Sequence, residues 1–503
     1  MLLFLPHHLF SIFIVLFLSF LNITLTKKLI TFILSVVCIT CLSCASGNAP
    51  EHTTATISQA PTHSYDNSLA SGKVIDTVVC HADAGQSYSL YLPTHYDTSN
   101  PYPCIYFFDA HARGVLPLYM YKELAEQYGF VFIASNTSKN GIAWEQTNAL
   151  VNTLMSDTRA RIHIDPKRIY TSGFSGGARV ASTIAMQDGS IAGVIGCSAG
   201  FPQFQNPFQN KFNYFGLVGN YDFNLQEMLQ LDEAMNTSNF PHQLLTYNGI
   251  HDWPVAADFQ TALLWMLLRE MKDKVLSSNE TTLHSFITDC NHRISVLRIS
   301  SNWINLHRLL DATVKLLDGL TDVSTYRKQL SDLEKNTTYT NALKLQNDLQ
   351  QAELTAQQQL GAQFTSHDEK WWAATIADMN AKSKNSKDIQ IAHMNRRVLS
   401  YLGLVAYMNT NHAISTDDLS HAQTYLNVFK MADPKNPDGS YLQATLYMKK
   451  NDPSHALASL SNATTLGYND VSQLNTDPIF ASLHSNPDFT SIINDAKKNL
   501  SKK

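Results

Sequence analysis

Short apolar runs alternate with segments of helical periodicity between residues 72 and 272. The runs with the length and composition of strands lie at residues 73–80, 87–93, 102–110, 130–135, 168–171, 192–198, 213–219 and 242–248. Apolar residues recur at helical spacing over residues 117–129, 144–161, 177–187, 224–236 and 256–272. This alternation predicts an α/β fold, in which helices cover both faces of a mostly parallel sheet.

Strand signals disappear after residue 272. Residues 273–396 are predicted to be helical, and a weak repeat of small and aromatic residues begins near residue 397. The repeat positions are Tyr401 and Tyr407, Ala422 and Tyr425, Ala444 and Tyr447, and Ala456, Leu460 and Ala463. Their spacing resembles that of tetratricopeptide helix pairs, in which small residues let helices pack closely. We therefore predict an all-α region that ends in tetratricopeptide-like repeats over residues 397–503.

The role of this helical region has two interpretations. Two repeat units are fewer than such an array usually needs, so residues 280–390 should cap or extend it. The region then offers either a surface that docks a protein or a glycan, or a scaffold that only supports the first domain.

The N-terminal 44 residues have the pattern of a targeting signal. Residues 9–25 are apolar, two lysines follow, and a second apolar run leads to the sequence CLSC at residues 41–44. The second unit alone has the positive start, the apolar stretch and the small residues of a signal peptide. Its end resembles a bacterial lipobox, although Cys41 stands where an aliphatic residue is usual. We therefore expect lipidation of Cys44.

This interpretation predicts a bacterial lipoprotein of the cell envelope, anchored by Cys44 in the outer membrane or facing the periplasm. Residues 45–71 are small, polar and without periodicity, as expected of a flexible tether. Residues 1–26 have two explanations: the true start lies further along the chain, or residues 9–25 form a transmembrane helix of marginal length.

Composition excludes some classes of partner. Charged residues make up 16% of the chain, and a formal net charge of −5 at pH 7 gives no basic surface for nucleic acid. The sequence has no P-loop, HExxH or paired CxxC motif, so we predict neither a cofactor nor a metal. The cysteines outside the signal are widely spaced, at Cys80, Cys104, Cys197 and Cys290. We expect buried free thiols there, and the alternative is a single disulfide between two of them.

A glycine-rich turn, GFSGG, follows one predicted strand at residues 173–177. A helix-forming stretch comes directly after it, which is the context of the nucleophile elbow G-x-S-x-G. At such an elbow the serine adopts a strained conformation with φ > 0, and small neighbours let the strand and the helix approach each other. Ser175 is therefore the candidate nucleophile, and the start of the helix behind it favours negative charge.

Two more residues follow later strands in the order that such a site requires. Asp222 comes shortly after the strand at 213–219, and His251 after the strand at 242–248. The carboxyl ends of parallel strands share one edge of the sheet, and Ser175 lies at that edge. Ser, then Asp, then His is the chain order of hydrolases built on this elbow. An accidental glycine-rich turn predicts neither position.

The segments KRIYTSGFSGGARVA and GIHDWP resemble the serine and histidine motifs of the α/β-hydrolase superfamily. The resemblance is to its secreted esterases of the polyhydroxybutyrate-depolymerase, feruloyl-esterase and acetyl-xylan-esterase kind. It covers residues 72–272 and implies an α/β-hydrolase fold with Ser175, Asp222 and His251 as a catalytic triad. The chain departs from the family after the third strand, where FDAHARG at residues 108–114 replaces the usual His-Gly.

The resemblance further implies an oxyanion hole made of the Gly176 amide and an amide of the loop after the third strand, from His111 or Ala112. Two other carboxylates compete for the role of the acid. Asp252 is adjacent to the histidine, and Asp109 is expected to shape the oxyanion loop instead.

Aromatic residues near the predicted site are candidates for a substrate pocket. They are Phe174, Phe201, Phe204, Phe208, Phe212 and Trp253. Packing under the loop explains them equally well. The gap between the sixth and seventh strands, residues 199–212, is short, which predicts an open site that admits bulky or polymer-linked esters.

The sequence as a whole predicts a lipid-anchored serine esterase with a helical appendage. Its expected partners are an ester substrate, including esters linked to a polysaccharide or other polymer, the membrane, and a protein bound by the repeats. One alternative is a binding lipoprotein whose hydrolase fold has lost activity, which the altered oxyanion loop favours. The other is a serine peptidase on the same fold, because such a triad cleaves esters and amides alike.

Overall fold

The structure, a computed structural model, describes residues 65–501 apart from residues 205–209 and 386–388. The predicted signal, Cys44, nearly all of the predicted tether and Phe208 lie outside the described residues. Within the described ranges, no helix combines the length and the apolar character needed to cross a membrane.

One eight-stranded sheet forms the centre of the first half of the chain. Its strands are β1 (Val74–Val79), β2 (Ser87–Tyr91), β3 (Tyr102–Phe108), β4 (Val131–Ser135), β5 (Ile164–Phe174), β6 (Ile191–Cys197), β7 (Asn213–Gly219) and β8 (His242–Tyr247). Their order in the sheet is β1-β2-β4-β3-β5-β6-β7-β8. β2 runs antiparallel to β1 and β4, and all other pairs are parallel. The predicted mostly parallel sheet is confirmed.

Five helices cover the sheet, four of them between strands and the fifth after the last strand. They are α1 (Val115–Tyr128), α2 (Trp144–Arg161), α3 (Gly176–Gln187), α4 (Leu225–Thr237) and α5 (Ala256–Lys272). Alternate residues of β3 belong to two separate apolar clusters. Ile105 and Phe107 pack in the cluster that contains α1 and α5, whereas Tyr106 and Phe108 pack in the cluster that contains α2, α3 and α4. Because both faces are buried, the strands are apolar throughout. The strand order and the helices on both faces are those of the α/β-hydrolase fold.

The next three helices extend the first of these clusters. They are α6 (Glu280–Ile299), α7 (Trp303–Leu317) and α8 (Ser324–Glu334). Phe286 of α6 and Leu310 of α7 are fully buried in the cluster that includes α5. An ion pair between Arg293 and Asp258, 2.9 Å apart, also ties α6 to α5. The apolar core around the sheet therefore continues beyond residue 272, the predicted end of the hydrolase domain.

The remaining helices have an apolar core of their own. They are α9 (Thr337–Gln363), α10 (Glu369–Asn385), α11 (Ile389–Ser415), α12 (Leu419–Ala432), α13 (Asp438–Lys449), α14 (Pro453–Thr465), α15 (Val471–Thr476), a 3₁₀ helix (Pro478–Leu483) and α16 (Pro487–Ser501). Small residues of the predicted repeat are fully buried in that core, at Ala422, Ala444, Ala456 and Ala463. This all-α region is as predicted, and its tetratricopeptide-like character remains a prediction.

The described cysteines, Cys80, Cys104, Cys197 and Cys290, are free and buried, as expected. Burial raises the pKa of the Cys80 thiol to about 11, so this thiol is neutral and acts as a small apolar side chain.

Candidate active site

The glycine-rich turn forms a sharp bend between β5 and α3, with Ser175 at its apex. Ser175 has φ 54° and ψ −119°, a conformation that residues with a side chain rarely adopt. Its amide donates to the Cys197 carbonyl of β6 at 2.9 Å, and its own carbonyl accepts the Ala178 amide at 3.0 Å. These bonds hold the serine in the strained turn at the carboxyl edge of the sheet.

Each glycine of this turn is needed because another group occupies the place of a side chain. A Cβ on Gly173 would lie 2.2 Å from the Gly177 backbone, and a Cβ on Gly177 would lie 2.0 Å from the Phe108 carbonyl oxygen of β3. A Cβ on Gly176 would lie 1.7 Å from Oδ1 of Asn140. The first two contacts let the helix start directly above the sheet, and the third brings a side-chain amide to the start of α3.

Ser175, His251 and Asp222 form a continuous chain of hydrogen bonds. His251 Nε2 lies 3.0 Å from Ser175 Oγ, and His251 Nδ1 lies 2.9 Å from Asp222 Oδ1. The structure therefore brings together the three residues that the sequence predicted from their places after β5, β7 and β8. Ser175 is partly exposed, and the His251 side chain is 17% exposed.

The loop after β7 fixes the carboxylate. Asp222 is completely buried, and its Oδ1 also accepts the Asn224 amide at 2.8 Å. Its Oδ2 is buried without a hydrogen-bond partner among the described residues. Of the competing acids, Asp252 accepts a hydrogen bond from the Trp253 backbone amide at 2.8 Å. Asp109 accepts hydrogen bonds from residues of its own loop, after β3. Asp222 is thus the carboxylate that the structure pairs with His251.

Residues 109–114, the loop after β3, are wrapped around the Asp109 carboxylate. Its two oxygens accept Nε and Nη2 of Arg113 at 2.9 and 3.0 Å, Trp253 Nε1 at 2.8 Å and the His111 amide at 2.8 Å. Burial alone would raise the pKa of Asp109, but the Arg113 guanidinium lowers it to about 2. Asp109 is therefore a buried anion at neutral pH, and as predicted it shapes this loop.

The predicted oxyanion donors differ in how they are engaged. Gly176 is the first residue of α3, where an amide has no acceptor within the helix. The His111 amide donates to Asp109 Oδ1, and the Ala112 amide donates to the Asp109 carbonyl at 3.2 Å. Either loop amide would have to exchange its bond to Asp109 for one to an oxyanion.

The aromatic candidates separate into two groups. The Phe174 ring lies 4.8 Å from the His251 ring and 5.8 Å from the Trp253 ring, so these two residues pack beside the triad. Phe201 packs against Phe204, Phe212 and Tyr214 in the apolar cluster on one face of the sheet. Phe201, Phe204 and Phe212 thus have a packing role in the core, and a role in a substrate pocket remains a prediction.

Sequence reasoning missed the residues that surround the histidine and the helix start. Phe223 packs its ring 4.1 Å from the His251 ring, which also contacts the strand residue Phe174. The Asn140 side chain lies against Gly176, and the Asn140 backbone N–H donates to the Ala110 carbonyl at 2.9 Å. An asparagine in a polar loop gives no signal of this placement, whereas Phe223 could have been suspected from its position next to Asp222.

Helices of the second half of the chain reach this edge of the sheet. A cavity of about 220 Å³ lies beside the acid, between α4 and helices α9 and α11. Its lining includes Phe223, Gln226, Gln357 and Tyr401. Nowhere in the described ranges are three or more His, Cys, Asp or Glu side chains grouped so that they could hold a metal ion.

No protein-family model matches the chain, and no curated protein sequence matches it. Solved structures do resemble part of it. One is an S-formylglutathione hydrolase from Staphylococcus aureus, with 16% identity, a TM-score of 0.30, and coverage of 36% of this chain and 90% of that one. Another is a fluorophosphonate-binding serine hydrolase from the same species, with 14% identity, a TM-score of 0.33, and coverage of 39% and 99%. A third is a feruloyl esterase module from Clostridium thermocellum, with 14% identity, a TM-score of 0.29, and coverage of 39% and 87%.

Proposed function

We propose that the protein is a serine hydrolase that cleaves carboxylic esters through an acyl-enzyme. The observation that carries this proposal is the unbroken hydrogen-bond chain from Ser175 Oγ through His251 to the buried Asp222 carboxylate. A serine hydroxyl is a weak nucleophile unless an adjacent base removes its proton, and the base needs a third group to orient it. These three side chains meet both requirements.

The geometry assigns each of these groups one part of the reaction. Since Nδ1–H of His251 donates to Asp222, the lone pair of Nε2 faces Ser175 Oγ and accepts its proton as Oγ attacks the acyl carbonyl. The imidazolium that forms is stabilised by the Asp222 charge. It then returns the proton to the leaving alcohol. A water molecule repeats the sequence on the acyl-enzyme, which releases the acid and restores Ser175.

The negative charge that develops on the carbonyl oxygen requires amide donors. The Gly176 amide at the start of α3 is one, and the helix dipole adds to its effect. The second donor in this proposal is the amide of His111 or Ala112, after it leaves Asp109. Such preorganised donors are each worth on the order of 3 kcal/mol in the transition state.

Substrate and location belong to the same proposal. The short loop of residues 199–212 favours an open site that admits bulky or polymer-linked esters. A lipid on Cys44 would hold the enzyme at the bacterial cell envelope, and the tether at 45–71 would let it reach an insoluble substrate. The repeats would contribute a docking surface for a protein.

One observation favours a second candidate, a binding protein on an inactive hydrolase fold. Both predicted loop amides of the oxyanion hole donate to Asp109. If those bonds persist with substrate bound, the developing charge would have only the donors at the start of α3.

A fluorophosphonate probe separates these possibilities, because it reacts with an activated serine whatever the acyl group. The full soluble chain, residues 66–503, should be labelled at Ser175 and should hydrolyse a small activated ester. Ser175→Ala should abolish both activities, and His251→Ala should be comparably severe. Asp222→Asn should lower kcat by about 10⁴-fold, as in the best-studied triad, because it disturbs the histidine tautomer. Labelling without any ester or amide hydrolysis would support the binding protein, and hydrolysis of amides in preference to esters would support a peptidase.

A further inference from the structure

The loop that carries the acid, residues 220–224 (hereafter the acid loop), is fastened on one side to the strand and loop that lead to the histidine. The Asn220 amide donates to the Tyr247 carbonyl at 2.8 Å, and the Tyr221 amide donates to the Gly249 carbonyl at 3.0 Å. These bonds fix the spacing of Asp222 and His251 along the edge of the sheet. They leave the other side of the acid loop facing helices α9 and α11.

On that other side, an arginine of α11 binds the acid loop directly. Nη1 of Arg397 donates to the Asn220 carbonyl at 3.0 Å. The guanidinium also forms a bidentate ion pair with Glu353 of α9, with Nε–Oε1 at 2.8 Å and Nη2–Oε2 at 2.7 Å. Glu353 is fully buried and Arg397 is 6% exposed. One buried guanidinium thus joins two helices of the second half to the carbonyl two residues before Asp222.

The ion pair is also linked to the helix that follows the acid loop. Gln226, in the first turn of α4, donates its Nε2 to Glu353 Oε2 at 2.7 Å. Gln226 and Asn220 lie on either side of the triad acid in the sequence. The Arg397–Glu353 pair therefore contacts the chain just before and just after Asp222.

Neighbouring contacts with α11 hold another side chain of the acid loop, that of Tyr221. The Arg396 guanidinium lies 3.6 Å from the centre of the Tyr221 ring, and the Tyr221 hydroxyl lies 3.3 Å from Nε2 of His393. Burial and the charges of Arg397 and Arg396 lower the pKa of His393, so its ring is neutral at pH 7 and forms a hydrogen bond with the Tyr221 hydroxyl. The acid loop is thus also held against α11 through Tyr221, one residue from Asp222.

A buried ion pair is a costly way to hold two helices together, because both charges lose their hydration. Apolar side chains of similar volume would join α9 to α11 at least as well. What they would not provide is a rigid, doubly anchored donor to a main-chain carbonyl. We infer that Arg397 is a positioning residue for the triad acid, and that α9 and α11 are part of the active site through the Arg397–Glu353 pair. This inference rests on the proposed function for its effect on turnover.

The test must separate positioning from simple loss of stability. Arg397→Met leaves Glu353 as an unpaired buried charge, so it also destabilises the protein. The double variant Glu353→Met/Arg397→Met removes both charges and keeps the volume, while it still loses the hydrogen bond to Asn220. Arg308→Met is the matched control, because Arg308 of α7 forms a similar ion pair with Asp232 of α4 at 2.8 Å and is not bonded to the acid loop.

Each variant of the full soluble chain is assayed with a small activated ester, and the proton between His251 Nδ1 and Asp222 is followed by NMR. We expect the double variant to lose about 10- to 100-fold in kcat, the scale of a misplacement of about 1 Å, with little change in KM. The downfield resonance of the shared proton should broaden or vanish. Arg397→Lys retains the positive charge without the planar guanidinium, so its kcat should lie between those of the double variant and the wild type. Arg308→Met should keep both kcat and the resonance.

Wild-type kcat and an unchanged resonance in a folded double variant would overturn the inference, even if the loss of activity in Ser175→Ala supports the proposed function. A wild-type chain without hydrolase activity would overturn the proposed function instead. In that case the resonance alone still reports whether Arg397 holds Asp222 against His251.

Discussion

At the scale of single residues, the conformation of Ser175 separates a nucleophile from an ordinary turn residue. A non-glycine residue at φ 54° and ψ −119° costs about 1–3 kcal/mol. Glycine would adopt the same turn at a lower cost in the folded state. The serine is therefore present against the preference of the backbone, which is typical of strain kept for a function.

The strain gives a prediction about stability. Ser175→Gly should be more stable than Ser175→Ala by about 1 kcal/mol, because alanine keeps the strained Cβ and glycine does not. Both variants should be inactive, since both lack the hydroxyl. Thermal unfolding of the two variants and the wild type measures the difference. Equal stability of the alanine and glycine variants would contradict the view that this turn is strained.

Gly176 gives a second prediction, because Asn140 occupies the space of its side chain. In Gly176→Ala the new Cβ would lie 1.7 Å from Asn140 Oδ1, so the Asn140 side chain, its loop or the helix start must move. We expect kcat to fall about 10²-fold, since the oxyanion donor moves with it. Asn140→Ala in the same chain should restore much of the lost activity. Gly189→Ala, whose Cβ would come no closer than 3.2 Å to Asn210, serves as the control.

Asp109 gives a prediction about pH. Its pKa is about 2 in the folded protein, lower than the ordinary value of 3.8, so its ionisation stabilises the fold above pH 4. That contribution, on the order of 2 kcal/mol, is lost as the pH falls from about 4 towards 2. Asp109→Asn/Arg113→Met removes the pair without leaving a lone charge. Its free energy of unfolding should depend less steeply on pH in that window than that of the wild type, as measured by denaturant titration at each pH.

At the scale of elements, helices α6 to α8 belong with the sheet more than with helices α9 to α16. They share an apolar cluster with α5, and Lys272 at the end of α5 donates through Nζ to the carbonyls of Lys315 and Leu316 near the end of α7. A helix such as α5, with apolar residues on most of its surface, needs cover on both sides.

Truncation tests this assignment. A chain of residues 65–272 would expose the outer face of α5 and should be insoluble or aggregate. A chain of residues 65–336 keeps that face covered and should be soluble and unfold cooperatively. It lacks Arg397, so its kcat for a small activated ester should be reduced. A soluble, fully active chain of residues 65–272 would show that α6 to α8 are dispensable for the hydrolase fold.

At the scale of the whole molecule, the described residues pack as one compact unit that contains both the sheet and the helical region. The acid loop lies where the two meet, so the second half of the chain is in a position to affect catalysis as well as to bind partners. The proposed attachment to a membrane would depend on a different part of the chain, the N-terminal signal predicted from the sequence.

The proposed anchor has its own test. If Cys44 is lipidated, the mature protein should begin with diacylglyceryl-cysteine, and Cys44→Ser should accumulate as an unlipidated precursor. A single acyl chain binds membranes only marginally, whereas a fully acylated cysteine holds stably. Mass spectrometry of the mature N-terminus and phase partitioning in detergent measure the two outcomes. A mature N-terminus at Met1 would contradict the lipoprotein interpretation.

The sequence by itself determined the features that depend on local pattern. Alternating periodicities predicted the α/β fold, because strands buried on both faces are apolar throughout and the helices between them are amphipathic. The glycines around Ser175 predicted the strained turn, because the close contacts there admit no side chain. The places of Asp222 and His251 after β7 and β8 followed from topology, since parallel strands end at one edge.

Tertiary structure alone decided the contacts between residues far apart in the chain. Nothing near Arg397 or Glu353 in the sequence indicates that they form a buried pair against Asn220, 177 residues from Arg397. The use of the His111 and Ala112 amides by Asp109 depends on Arg113 and Trp253 reaching the same carboxylate. The apolar face of α6 likewise has no partner until the chain is folded. Periodicity shows which face of an element is buried, but only the packed chain determines which element covers it.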